Sequence, residues 1–188
     1  MIQRFPDVIL RGERILLRPF RADDAPEVAV ACSDPLTQRW LPLPNPYTLD
    51  HARWYCEAFA PGRRSTGAGI AVAIEHEHRL AGAIDLKRTD WAARTTEIGY
   101  WLAPWARGRG VMTEAVRVLT RWVIVDQGFV RVELRVAPGN EPSQRVAVAA
   151  GYTREGTLRN AGWTNAGRVD LDCFSFIDAD LVADPART

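Results

Sequence analysis

The sequence predicts a single domain of mixed α/β type, and three observations carry that expectation. Its 188 residues suit one domain with a sizeable core. Segments of period two are interleaved with segments of helical period, with no internal repeat or low-complexity block between them. A glycine-rich turn, Arg107-Gly108-Arg109-Gly110, follows an apolar run and precedes a long amphipathic segment, in the order strand, turn, helix. The whole chain, 1–188, is expected to be one unit with its core at about 7–178. The polar tail beyond Asp178 is expected to fray.

Taken in order, Val8-Ile9-Leu10 and Arg14 to Arg18 read as two short strands, with a hinge at Arg11-Gly12-Glu13. Ala22 to Cys32 reads as a helix with Asp23, Asp24 and Glu27 near its start, where they complement the dipole. Ser33-Asp34-Pro35 marks its end. Three prolines keep Trp40 to Tyr47 irregular, as a connector or as one wall of a substrate groove. Thr48 caps a helix from Leu49 to Phe59, which should stop at Pro61-Gly62. Gly69 to Glu75 and Arg79 to Leu86 form a hairpin turned at His76-Glu77-His78, and Asp90 to Arg94 turns into a strand over Thr95 to Leu102. Ala115, Val118, Leu119, Trp122 and Val123 share one face of a helix from Gly110 to Asp126, with Gly128 as its stop. Val130 to Val136 alternates as a strand. Glu141 to Ala150 is a short helix capped by Asn140, and Tyr152 to Leu158 pairs with Arg168 to Ile177 across the loop Asn160 to Gly167.

Composition removes several function classes. With 24 Lys+Arg against 23 Asp+Glu the net charge is +1, which argues against a dedicated nucleic-acid binder. Met1 to Pro6 lacks the apolar run of a signal peptide, and no stretch approaches the ~20 apolar residues of a membrane span. A cytoplasmic protein with no membrane partner is expected, as a monomer or a homodimer. Cys32, Cys56 and Cys173 are odd in number and widely spaced, so reduced, buried thiols are expected. His76 and His78 flank a polar turn with no third ligand in view, so no metal site is expected.

The glycine-rich turn has its own chemistry. The free N–H groups of a helix's first turn and the helix dipole favour an anion. Glycine lets the backbone approach that anion closely and adopt positive φ. Arginine adds charge-assisted contacts. A phosphate is therefore expected at Arg107 to Thr113. Gly110-Val111-Met112 is not the Gly-Lys-Ser/Thr ending of a Walker loop, and the third glycine of a dinucleotide fingerprint is missing.

Arg107-Gly108-Arg109-Gly110-Val111 resembles the acyl-CoA loop of the GNAT superfamily of N-acetyltransferases, with Met112 in place of a final small residue. Glu97 to Leu102 is similar to the strand before that loop. Thr113-Glu114-Ala115, Asn140 to Val146, Gly151-Tyr152 with Glu155-Gly156, and Gly167 to Asp170 resemble signatures of the ribosomal-protein N-acetyltransferase branch. These pieces stand in the family's order from about Ile9 to Ile177.

The resemblance implies a twisted, mostly antiparallel sheet with helices on both faces and strands splayed at the acyl-CoA site. It implies acetyl-CoA as donor, CoA as product, and contacts from Tyr100, Trp101, Leu102, Ala103, Arg107, Gly108, Arg109, Gly110, Val111, Met112, Thr113, Asn140 and Ser143. An alkylamine is mostly protonated at neutral pH, so attack on the acetyl group needs a base. Glu97 is the expected base, its plain alternative being a salt bridge with Arg94 or Arg135. Ser143 is the expected proton donor to the leaving thiolate, with Tyr152 as the other hydroxyl. Asp85, Asp170 and Trp163 could face the acceptor, an amine on a protein N-terminus or a small molecule. The branch often carries an acidic residue just before Trp163, where this chain has Gly162. A non-catalytic acyl-CoA sensor is the reading from a different class.

Overall fold

In the computed structural model, residues 3–181 are described. One sheet organises them, with strands β1 (Leu10–Arg11), β2 (Ile15–Arg18), β3 (Ile70–His76), β4 (Arg79–Asp90), β5 (Thr95–Leu102), β6 (Arg131–Val136), β7 (Thr153–Thr164) and β8 (Gly167–Ile177). Their order is β1-β2-β3-β4-β5-β6-β8-β7. Every neighbouring pair is antiparallel except β5 with β6, which run parallel because helix α5 (Val111–Val125) carries the chain from one to the other.

Alternation along the inner strands sorts side chains onto two faces. Ile70, Val72, Ile74, Ile84, Leu86 and Ile98 pack on one face with the α5 residues Val111, Met112, Ala115, Val116, Leu119 and Val123. On the other face Ala73, Leu80, Ala83 and Trp101 meet helices α1 (Ala25–Ser33) and α3 (Leu49–Trp54). Helices therefore cover both faces, as expected. A buried guanidinium anchors β2 to the second face. Arg18 on β2 donates to both carboxylate oxygens of Asp24 at 2.8 Å and to Glu75 on β3 at 2.6 Å.

Three local expectations are corrected. Ser33-Asp34-Pro35 ends α1 but also begins α2 (Pro35–Trp40), with the Asp34 carboxylate accepting from the Thr37 N–H at 3.1 Å. Asp-Pro serves as cap and first residue at once. Pro61-Gly62 does not stop the third helix: Tyr55–Phe59 widens into a π turn and α4 (Ala60–Ser65) continues. Pro61 falls in the first turn of the resumed segment, where a missing N–H costs little. The presumed loop Asn160 to Gly167 is mostly strand, and only Asn165-Ala166 turns. A bulge between Leu158 and Gly162 takes up the irregularity, with Asn160 at φ 53°. Of the expected fraying tail, Asp178–Leu181 is a short 3-10 helix and residues 182–188 lie outside the described residues.

Candidate active site

The parallel ladder between β5 and β6 is short. It runs from Thr95↔Arg131 to Ile98↔Leu134 and stops. Beyond it β5 stays paired with β4 as far as Leu102, and β6 stays paired with β8 as far as Val136. Gly99 to Leu102 and Arg135 to Val136 thus diverge as the two lips of an opening in the sheet. The Ala103 N–H is taken by the Ala81 carbonyl at 2.7 Å, so alternation turns the backbone groups of Tyr100 and Leu102 toward the opening. Trp101 and Ala103, expected alongside them, turn toward β4 instead and are buried with α1 and α3.

At one mouth of the opening stands the α5 N-terminus. Its cap residue is Gly110, at φ 76° and with no side chain to accept from the first-turn amides. Gly108 is likewise left-handed at φ 72°. Five amides follow one another from Arg109 to Thr113, and the dipole of a 15-residue helix points at whatever they hold. Met112, the departure from the loop pattern, is 4 % exposed and packs in the core. Its side chain points inward and only its backbone belongs to the turn, so an apolar residue serves here. Arg107 differs from expectation. Its guanidinium donates to Asp34 at 2.6 Å, Thr37 at 3.0 Å and the Leu102 carbonyl at 3.2 Å, bracing α2 against the loop. The cation beside the first turn is Arg14, which donates to the Arg109 carbonyl at 2.9 Å and pairs with Glu114 at 3.0 Å. Arg109 itself reaches only Glu77, at 3.8 Å.

Across the opening is α6 (Glu141–Ala149), capped by the Asn140 side chain, which accepts from the Ser143 N–H at 3.4 Å. Tyr100 spans the gap and donates to the Ser143 carbonyl at 3.3 Å, and burial pushes its phenol up to about 12. Tyr152 is spent elsewhere, buried and bonded to Thr120 at 2.6 Å.

The second face of the sheet carries the carboxylates. Glu97 is buried, with Lys87 at 3.1 Å, Arg88 at 3.3 Å and Arg135 at 3.5 Å. Its Oε2 is sealed from solvent and has no hydrogen-bond partner among the described residues. Arg94, the other partner considered, donates to the Gly128 carbonyl. Asp85 lies opposite Gly99, the first residue past the ladder, and is half-buried. A Cβ on Gly99 would stand 2.5 Å from the Asp85 Oδ1 and 3.1 Å from the Lys87 Nζ, so glycine makes room for both. Burial holds the Asp85 carboxyl above its ordinary value, against the pull of Lys87 and Arg63 and with the push of Glu97. Two cross-links tie the α2 region to the β7–β8 turn and to the β6–α6 connection. Asn165 at the β7–β8 turn donates to the Gln38 Oε1 at 2.9 Å and the Leu43 carbonyl at 3.1 Å. Trp40 packs on Gly139, leaving 3.2 Å where a Cβ would stand. Of the other groove candidates, Asp170 accepts from the Asn160 N–H at 2.7 Å and Trp163 lies under Arg168. A side chain at Gly162 would meet Leu171 at 2.8 Å.

Comparison with known proteins decides the family. The model of the acetyltransferase (GNAT) domain matches residues 14–153. The chain belongs to the GNAT acetyltransferase family. Among this acetyltransferase's relatives is the Bacillus subtilis protein named "Putative ribosomal N-acetyltransferase YdaF", 30% identical over 88% of this chain and 92% of that one. The ribosomal-protein-serine acetyltransferase of Escherichia coli is 29% identical over 55% of this chain and 58% of its own length. In fold it matches Mycobacterium smegmatis RimJ, solved with a CoA disulfide, at a TM-score of 0.82 and 22% identity, over 93% of this chain and 88% of that one.

The family's donor, acetyl-CoA, fits what this acetyltransferase presents. A glycine-capped helix start suits a pyrophosphate, and an unpaired strand edge suits the amides of pantetheine. Sequence reading located both. It missed the residues that frame them, Arg14, Asp34, Trp40 and Asn165, because each acts on a partner more than 70 residues away in the chain. Strand alternation was the available signal for Asp85, since Ala83, Asp85 and Lys87 must share a face. Among the described residues no helix is long and apolar enough to cross a membrane, and no group of three His, Cys, Asp or Glu is placed to hold a metal.

Proposed function

We propose that this acetyltransferase acetylates the N-terminal amine of a protein, by direct transfer in a ternary complex. The observation that carries the reading is the opening between β5 and β6, with the glycine-capped start of α5 at one mouth and carboxylates on the far face. Acetyl-CoA supplies the activated acetyl thioester. Amides from Arg109 to Thr113 hold the pyrophosphate, and the free edge of Tyr100 and Leu102 aligns pantetheine. Ser143, in the first turn of α6, is the hydroxyl that donates a proton to the departing sulfur. The thiols take no part as nucleophiles. Burial pushes Cys32 and Cys56 up to about 12 and raises Cys173, so all stay protonated at neutral pH.

A protein acceptor is favoured by the names of the relatives. A small amine is the second reading, favoured by the bonds that hold the β7–β8 turn at Asn165 against Gln38 and Leu43. The test is CoA release with acetyl-CoA and two probes, a peptide beginning with serine and the polyamine spermidine. Turnover of the peptide alone is expected. Turnover of spermidine alone would select the second reading, and acetyl-CoA binding without turnover of either would favour a sensor.

A further inference from the structure

We infer that Asp85, rather than Glu97, is the carboxylate that pairs with the attacking amine and receives its proton; this rests on the acetyl-transfer reading above. The opening starts where the parallel ladder ends, and the first residue beyond it is Gly99. Asp85 is the cross-strand partner of Gly99, and its Oδ1 occupies the space directly above that residue's Cα. An acyl group carried along the free edge of β5 toward the end of the ladder would therefore meet Asp85 on the second face.

Availability separates the two acids. Glu97 has Lys87, Arg88 and Arg135 within 3.1, 3.3 and 3.5 Å and a side chain only 6 % exposed, so three cations already face its charge, and its Oε2, which has no hydrogen-bond partner among the described residues, is sealed from an incoming amine. Asp85 is half-buried, and among the described residues no cation stands within ion-pair distance of it. Four titratable or charged groups face it: Lys87 on its own strand, Glu97 on β5, Arg63 on α4 and Tyr55 in the π turn. Glu97 takes up the Lys87 ammonium and Arg63 donates to the Leu86 carbonyl at 2.7 Å, leaving Asp85 for an incoming cation. Burial disfavours the ionised form of an acid and of an amine alike, which brings their proton affinities together. Asp85 is raised in this way, and an ammonium buried beside it would be lowered.

The step then balances. The amine enters as an ammonium and gives one proton to Asp85. Its lone pair forms the carbon–nitrogen bond while the carbon–sulfur bond breaks and its electron pair leaves with sulfur. The nitrogen loses a second proton as the thiolate gains one, with Ser143 as the hydroxyl on the sulfur side. The products are the acetamide, the CoA thiol and one proton that Asp85 returns to solvent.

The test compares Asp85→Asn and Glu97→Gln with the wild type, using acetyl-CoA, a serine-initiated peptide and spermidine. Asp85→Asn should bind acetyl-CoA as the wild type does and melt no lower, yet lose about 100-fold or more in kcat. The wild-type rate should fall as pH drops through the Asp85 titration, and that limb should vanish in Asp85→Asn and persist in Glu97→Gln. A readout free of turnover is the carboxyl carbon resonance of Asp85, assigned by its loss in the variant. It should titrate above the ordinary 3.8 in the protein without acetyl-CoA. Full activity in Asp85→Asn, loss of the acid limb only in Glu97→Gln, or a resonance titrating at or below 3.8 would each overturn the assignment. If the wild type binds no acetyl-CoA, or binds it and acetylates neither probe, the acetyl-transfer reading falls and this inference with it.

Discussion

Gly110 is the residue on which the proposed donor site turns. It sits at φ 76° with no side chain in front of the first-turn amides proposed to hold the phosphate. Gly110→Asp puts a carboxylate in that place and should abolish acetyl-CoA binding, read as loss of the heat of binding by calorimetry. Gly110→Ala separates charge from strain. An L-residue in the left-handed region costs about 1 kcal/mol, so this variant should melt earlier and still bind. Its Cβ would stand 3.1 Å from the Arg14 Nη2, the end of a flexible side chain that can shift. Retained affinity in the aspartate variant would remove the loop from the donor site. Residue roles were the least legible part of the sequence. The Arg107 side chain looked like a phosphate ligand because its neighbours are glycines, whereas its partners Asp34 and Thr37 lie 73 and 70 residues away. For Glu97 the sequence offered a base or a salt bridge with Arg94 or Arg135; Arg135 does approach it, while Lys87 and Arg88 come from the facing strand β4, which only the register brings alongside.

Elements were easier to read where one periodicity held without interruption. Helix α5 shows its buried face in the spacing of Ala115, Leu119, Trp122 and Val123, and β6 shows a strict alternation. Reading failed where a residue with two roles was given one. Asp34-Pro35 closes one helix and opens the next, and Asn160 lets a bulge keep β7 and β8 paired past an irregular stretch. That longer hairpin matters, because it delivers Asn165 to Gln38 and Leu43, where one side of the proposed acceptor groove would lie. Asn165→Ala removes those bonds without touching the donor side. The expected result is a raised KM for the amine with unchanged affinity for acetyl-CoA, and a change confined to kcat would count against the groove. Trp40 on Gly139 closes the same groove from the β6–α6 connection, so widening at Asn165 should be partial.

For the molecule as a whole, the charge pairs set an acid limit. Arg131 holds the Glu155 carboxyl down, from the ordinary 4.5 to about 2, and Glu133, Asp172 and Asp34 are also lowered. A carboxylate whose folded value is depressed stabilises the fold above its unfolded value and loses that contribution as pH falls through the folded one. Stability against urea should therefore drop between about pH 4.5 and 2, modestly for Glu155, whose pair with Arg131 is partly exposed and screened by salt. Asp85 runs the other way: its raised value makes the folded state bind a proton more readily than the unfolded chain, so it opposes folding once ionised. A larger consequence follows from the lone parallel pair. The sheet is an antiparallel meander, β1 to β5, beside a second antiparallel group in the order β6-β8-β7, and among the described residues the strands of the two are joined by the rungs from Thr95 to Ile98. A ligand lying along the free edge of β5 supplies rungs that the chain itself omits, so the donor is mortar for the seam as well as reagent. Amide exchange at Tyr100 and Leu102 should slow when acetyl-CoA binds, while exchange in the β3–β4 hairpin stays as it was. A seam that exchanges no more slowly with donor bound would mean that the ligand does not lie along that edge.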